Sequence, residues 1–372
     1  MARMNTKRTA LSVAAVGTTA GVVGLVLLAA PAGADEAPPA LPDITAEALV
    51  QSVLTSHVPA LSGSLTFSQD LGLPLPGLPT GGETARVFTD GQDRARVQLD
   101  DGSGAKTVVH DGATTWVWDA GERSVVKFTG TERDLGTDAE LADPAGVAKE
   151  LVTTMQADST IAVDGTAVVA DRPAYQLVLT PKPTERTLLR EVRVAVDSET
   201  RLPLRLEVLA NGTAEPVLSV GFSEFEPGAQ DESLFSFTPP AGAQVTDGNA
   251  KAAEHRPSQA QQRDFLAALK PKTVGQGWDT VLIGTVPQDL LNAKVEGKAE
   301  GKTEGKAEGR GQRGGATSAL ELVKQFGKPV SGAFGTGWVI TTKVGTALVA
   351  EDGRVALGAV PQQVLVDALG AK

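Results

Sequence analysis

From Lys106 to Phe128 apolar and polar side chains alternate residue by residue, broken by Asp111-Gly112 and Asp119-Ala120-Gly121. Alternation with Asp-Gly between the runs predicts antiparallel strands joined by tight turns, because glycine accepts the positive φ that such turns require. On the middle run Trp116 and Trp118 fall on one face, with Thr115 and Val117 on the other. On the next run Val126 and Phe128 lie opposite Val125 and Lys127. The expectation is a meander whose greasy side carries Trp116, Trp118, Val126 and Phe128.

The pattern continues in both directions. Thr45 to Ala48 opens a helix that carries Leu49 and Val53 on one face. Leu61 to Asp70 reads as a strand with Leu65 and Phe67 together, and Val97 and Leu99 alternate with Arg96 and Gln98. Ala142 to Met155 reads as a second helix, with Asp143 as N-cap and Pro144 in the first turn. Strands then resume around Tyr175, Leu177 and Leu179, around Val194, around Leu204 and Leu206, and around Val220 and Phe222.

About eleven strands with one apolar face form a sheet that curls around that face. Two helices are too few to fill the concavity. The predicted fold is mainly β with some α: an unclosed half-barrel of about eleven antiparallel strands, capped by helices around an apolar cavity. The expected lining is Leu65, Phe67, Val97, Leu99, Trp116, Trp118, Val126, Phe128, Tyr175, Leu177, Leu179, Val194, Leu204, Leu206, Val220 and Phe222. Leu71 to Gly82, LGLPLPGLPTGG, holds three prolines and four glycines and cannot be a ladder strand. Its leucines 71, 73, 75 and 78 suit an apolar lid, with Leu71, Leu73, Leu75 and Leu78 packed on something greasy.

Phe235 to Pro240 closes this domain, expected over residues 44–246, and residues 247–270 form a linker. A small α+β module spans 271–372. It holds a strand-like run around Trp278, a helix over 316–326, a hairpin system over 332–360 turning at Asp352-Gly353, and a closing helix over 361–369. Glu296 to Gly315 repeats Glu, Gly and Lys with glycine at every fourth position, which breaks a helix and predicts disorder.

Composition narrows the function. The 372 residues are 41% hydrophobic and 21% charged, ordinary for a globular protein. The formal charge of −11 argues against nucleic acid as a partner. With no cysteine, disulfides, thiolate metal sites and lipid attachment through cysteine are excluded. Arg3, Lys7 and Arg8 precede an apolar stretch that ends in Ala32-Gly33-Ala34, which predicts a signal peptide cleaved after Ala34, an exported protein and no lipoprotein. Retention of the stretch as a membrane anchor is the alternative.

Catalytic signals are weak. Gly301-Lys302-Thr303 lacks the spacing of a phosphate loop and sits in low-complexity sequence. His57, His110 and His255 are scattered, and His110-Asp111 falls at a predicted turn. No G-x-S-x-G elbow occurs. A non-enzymatic monomer without cofactor or metal is expected; a cell-envelope hydrolase remains a distant option with no residues nominated.

The W-V-W meander, VDGTAVVADRPAYQLVLTP (Val163–Pro181), RVAVDSETRLPLRLEVLA (Arg193–Ala210) and FSFTPPAGA (Phe235–Ala243) together resemble actinobacterial members of the LolA-like lipoprotein-carrier family. The half-barrel is shared with the N-terminal domain of sigma-E regulators of the RseB/MucB type. The resemblance covers about residues 44–246 and implies a cavity for lipid or lipoprotein acyl chains. It leaves two functions open: an exported carrier or sensor of acyl chains, or a regulator that binds an anti-sigma factor or other membrane protein.

Overall fold

The computed structural model describes residues 38–72, 83–100, 105–130, 156–249, 269, 271–291, 294–295 and 317–370. Two compact units divide the chain, Met1–Pro38 and Pro39–Lys372, and every element below belongs to the second. The expected signal peptide, the helix over 142–155, the linker from residue 250 to 268, the repeat insert, and Leu73, Leu75 and Leu78 lie outside the described residues.

Helix α1 (Ala46–Thr55) starts where the Thr45 side chain accepts the Ala48 N–H, and it buries Leu49, Val50 and Val53. The strands of the main sheet are Leu61–Gln69 (β1), Glu83–Thr89 (β2), Arg94–Asp100 (β3), Ala105–Asp111 (β4), Thr114–Asp119 (β5), Ser124–Thr129 (β6), Ser159–Val169 (β7), Arg172–Pro181 (β8), Leu189–Asp197 (β9), Pro203–Ala210 (β10), Leu218–Pro227 (β11) and Gln244–Asp247 (β12). Their order is β12-β6-β5-β4-β3-β2-β1-β11-β10-β9-β8-β7, so the sheet is open, and β7 and β12 end it. Two meanders, β1–β6 and β7–β11, are joined at the centre by antiparallel pairing of β1 with β11. A bulge between Ser64 and Leu65 bends that seam. The sheet curls enough to bring Cα atoms of β7 and β11 within 8 Å, although three strands lie between them.

The expected turns hold the first meander. Gly112 takes φ 91°, and Asp111 Oδ1 accepts the N–H groups of Ala113 and Thr114. In the next turn the left-handed residue is Arg123, at φ 52°, and Asp119 Oδ1 accepts the Glu122 N–H.

Residues after Phe235 do not leave the domain. They run on as a strap that ends in β12, which adds to β6 in parallel. The other pairings in this sheet, among the described residues, are antiparallel.

A second, six-stranded antiparallel sheet has the order β13-β14-β20-β19-β18-β17. It is built from Lys272–Val274 (β13), Val281–Thr285 (β14), Lys328–Gly332 (β17), Gly335–Thr341 (β18), Thr346–Ala350 (β19) and Arg354–Gly358 (β20). Helix α2 (Gln288–Leu291) follows β14, and Lys294–Val295 (β15) pairs with Thr317–Ser318 (β16) on either side of residues 296–316. Helix α3 (Ala319–Phe326) opens with a Ser318–Glu321 capping box. Helix α4 (Gln362–Gly370) packs Val364, Leu365 and Leu369 against Val281, Val339, Leu348 and Ala356.

Trp278 departs from its expected place in a strand. It lies in a 3-10 turn, Gly277–Asp279, and enters the core of the main sheet. Its indole Nε1 donates to Ser159 Oγ at 2.8 Å. The N–H groups of Trp278 and Asp279 both donate to Glu185 Oε2. Elsewhere Ala359 O accepts from Leu188 N and Thr187 Oγ1, and Lys343 pairs with Asp70. These contacts fasten the two sheets to one another.

Candidate functional site: an apolar ladder on the main sheet

Residues directly opposite one another on neighbouring strands point to the same side of a sheet. Applied strand by strand, this divides the main sheet into an inner face, on which α1 lies, and an outer face.

On the inner face Val87, Val97, Val108, Val117 and Val126 stand opposite one another across five consecutive strands, β2 to β6. One row along the strands lie Ala85, Leu99, Lys106, Asp119 and Ser124; on the other side lie Thr89, Ala95, His110, Thr115 and Phe128. Val87 and Val97 are buried, whereas Val108, Val117, Val126, Leu99 and Phe128 remain half-buried. Lys106 stands directly opposite Asp119, so the charges on this face offset one another.

Toward the other meander the inner face is filled. Tyr175, Leu177, Leu179, Val194 and Leu206 form one packed cluster with Leu49, Val50 and Val53 of α1 and with Trp278. Val220 packs against it. The expected cavity lining is core here, because helix and indole occupy the space. Leu65, Val97, Leu204 and Phe222 belong to a second cluster, in which Phe222 and Phe225 meet edge to face at 5.1 Å. Phe67, half-buried, stands opposite Val220.

The two indoles are a correction. Trp116 stands opposite Lys127 and Val109, and Trp118 opposite Val125 and Thr107. They therefore face outward, away from Val126 and Phe128, and cannot line one surface with them. The strap covers this outer side. The Phe237 ring lies 5.7 Å from Trp116, Lys127 Nζ sits over the same indole, and Phe235 is buried with Arg94 over its ring. Arg96 Nη1 donates to Leu234 O and Arg123 Nη2 to Ala241 O, fastening the strap from both sides.

Leu71, at the root of the expected lid, is half-buried, and its carbonyl accepts the Lys343 N–H. His110 also departs from expectation. It is not in the turn but in β4, half-buried on the inner face, with Nδ1 2.9 Å from Thr115 Oγ1. Val87, Val108, Val117 and His110 were absent from the expected lining; their alternation signals strands, but only register aligns them.

The strongest electrostatic arrangement lies elsewhere. Asp197, fully buried, accepts Arg172 Nε at 2.6 Å, Arg172 Nη2 at 3.0 Å, and both the N–H and the hydroxyl of Thr200. Burial pushes the Asp197 carboxyl up, but the bonds from Arg172 and Thr200 outweigh it and hold the carboxyl below the usual range. This locks the β9–β10 turn and leaves no open acid or base. Among the described residues no group of three or more His, Asp or Glu is placed to hold a metal ion, and no helix is long and apolar enough to cross a membrane.

No family model matches the chain, and no curated protein matches its sequence. Solved structures do resemble it. The Pseudomonas aeruginosa MucA/MucB complex matches over 87% of this chain and 95% of that one, at 17% identity and a TM-score of 0.40. A LolA superfamily protein from Nitrosomonas europaea matches over 52% of this chain and 99% of its own, at 10% identity and a TM-score of 0.25. A putative outer membrane lipoprotein-sorting protein domain from Vibrio parahaemolyticus matches over 51% and 95%, at 9% identity and a TM-score of 0.21. Likenesses at these identities and TM-scores carry no argument about function.

Proposed function

We propose that this chain is an exported, non-enzymatic protein that binds acyl chains of lipids or lipoproteins on the inner face of the main sheet, as a carrier or sensor. The observation that carries this reading is the five-valine ladder, half-buried along Val108, Val117 and Val126. Each methylene removed from water there is worth about 0.8 kcal/mol. The resemblance of the sequence to LolA-like carriers supports the same reading.

The test is to purify the protein from its native host and extract it for lipid mass spectrometry. A phospholipid or acylated species at near-stoichiometric amount supports the reading. Protein that arrives empty and also ignores added fluorescent fatty acids removes it.

A regulatory reading, with a membrane protein as partner, is favoured by a different observation. On the second sheet Leu282 and Leu357 stand opposite each other on the face away from α4, 43% and 48% exposed. Capture of a membrane protein by the wild type, lost in Leu282→Lys with Leu357→Lys, would favour it.

A further inference from the structure

The ladder of valines is bordered by a single imidazole. His110 lies next to Val108 along the inner face of β4, between Ala95 on β3 and Thr115 on β5. Its Nδ1 is engaged by Thr115 Oγ1 at 2.9 Å, and Thr115 is 2% exposed. That bond fixes the ring and separates the roles of its two nitrogens. Nε2 has no hydrogen-bond partner among the described residues. In the tautomer in which the Thr115 hydroxyl donates to Nδ1, the ring proton sits on Nε2, where it can meet an oxygen acceptor.

We propose that His110 Nε2 holds the carboxyl or ester oxygen at the head of an acyl chain seated on the valine ladder. This rests on the acyl-binding reading above and adds the class of head group. His110 stands on β4, the middle of the five strands, so from the imidazole the ladder continues for two strands in either direction. At about 4.8 Å per strand that is about 10 Å of apolar surface on each side, enough to seat the part of an acyl chain that follows the head group. Ala95, directly opposite on β3, is a small neighbour. The charges of the inner face near this point, Lys106 and Asp119, lie on the far side of the valine row and oppose each other. The imidazole thus places a hydrogen-bonding nitrogen at the border of the valine row.

The test uses three fluorescent probes with one tail length: a free fatty acid, its methyl ester, and a hydrocarbon-tailed dye with no carbonyl. The full chain is compared with His110→Leu, which keeps bulk and removes the nitrogen, and with His110→Gln, which restores a donor. The expected result for His110→Leu is about tenfold weaker binding of the fatty acid, the size of one lost hydrogen bond to a charged group, with the hydrocarbon dye unchanged. His110→Gln should recover part of the loss. Weakening of the ester as well would point to an ester-linked lipid; weakening of the acid alone would point to a free carboxylate. Equal loss for all three probes would mean that His110 only packs, and no loss for any would likewise overturn the proposal. Both of those outcomes leave the acyl-binding reading standing, whereas a wild-type protein that binds none of the probes overturns both.

Discussion

Trp278 donates its indole N–H to Ser159 Oγ, and the two residues, 119 positions apart, are both buried. One side chain thereby ties the second sheet to the edge strand of the first. Trp278→Ala empties the position of a full indole, which costs about 3–5 kcal/mol. Urea unfolding should show a loss of that size, and limited proteolysis should release a fragment from residue 271 onward. Unchanged protection of that region would show that the remaining contacts suffice.

Gly277 holds the same turn. It takes φ +60°, and a Cβ there would stand 2.3 Å from the Asp158 Cβ. Gly277→Ala combines a left-handed backbone with a clash, so it should destabilise by more than about 1 kcal/mol. Thermal unfolding checks this.

Substitutions at neighbouring positions of β5 should part according to the face they occupy. Val117→Asp places a carboxylate in the valine ladder and should abolish acyl-probe binding. Trp116→Leu removes the contact with Phe237 on the outer face. It should cost about 1 kcal/mol of stability and leave probe affinity within about twofold of wild type. Titration of both variants with a fluorescent fatty acid tests the assignment of faces, and loss of binding in Trp116→Leu alone would reverse it.

The Arg172–Asp197 pair sets an acid dependence. Because the folded-state pKa of Asp197 is depressed, its stabilisation is present above the unfolded value of about 3.9 and is lost as pH falls through the lower folded value. Wild-type stability should therefore drop below about pH 4 more steeply than that of Asp197→Asn. Asp197→Ala, which leaves Arg172 unpaired, should cost about 3–5 kcal/mol at neutral pH.

Much of the strand layout was legible in the sequence, because alternation at Leu61–Gln69, Arg94–Asp100 or Arg172–Pro181 is a local signal. The faces were less so. That Trp116 and Trp118 point the same way follows from their spacing; which way they point depends on whether Val125 or Val126 stands opposite Trp118. The pairing is with Val125, and a shift of one residue would have turned the indoles inward. The strap shows the same limit. FSFTPP reads as the end of a domain, yet Phe235 and Phe237 pack back on strands more than a hundred residues earlier. Nor could spacing show that α1 and Trp278 fill one half of the concavity, since that depends on contacts between distant segments.

The seam between β1 and β11 has a kinetic side. Ser64 and Glu224, joined across it, are 160 residues apart. The two meanders can each form from near neighbours, but the centre of the sheet waits for a loop of that length to close. Contacts so distant in sequence slow folding. Until β11 arrives, β1 carries an unpaired edge, the kind of surface that draws other chains into aggregates. The step most sensitive to a holding chaperone is therefore the closure of this seam, and variants that weaken it should show first as poor yield of folded protein.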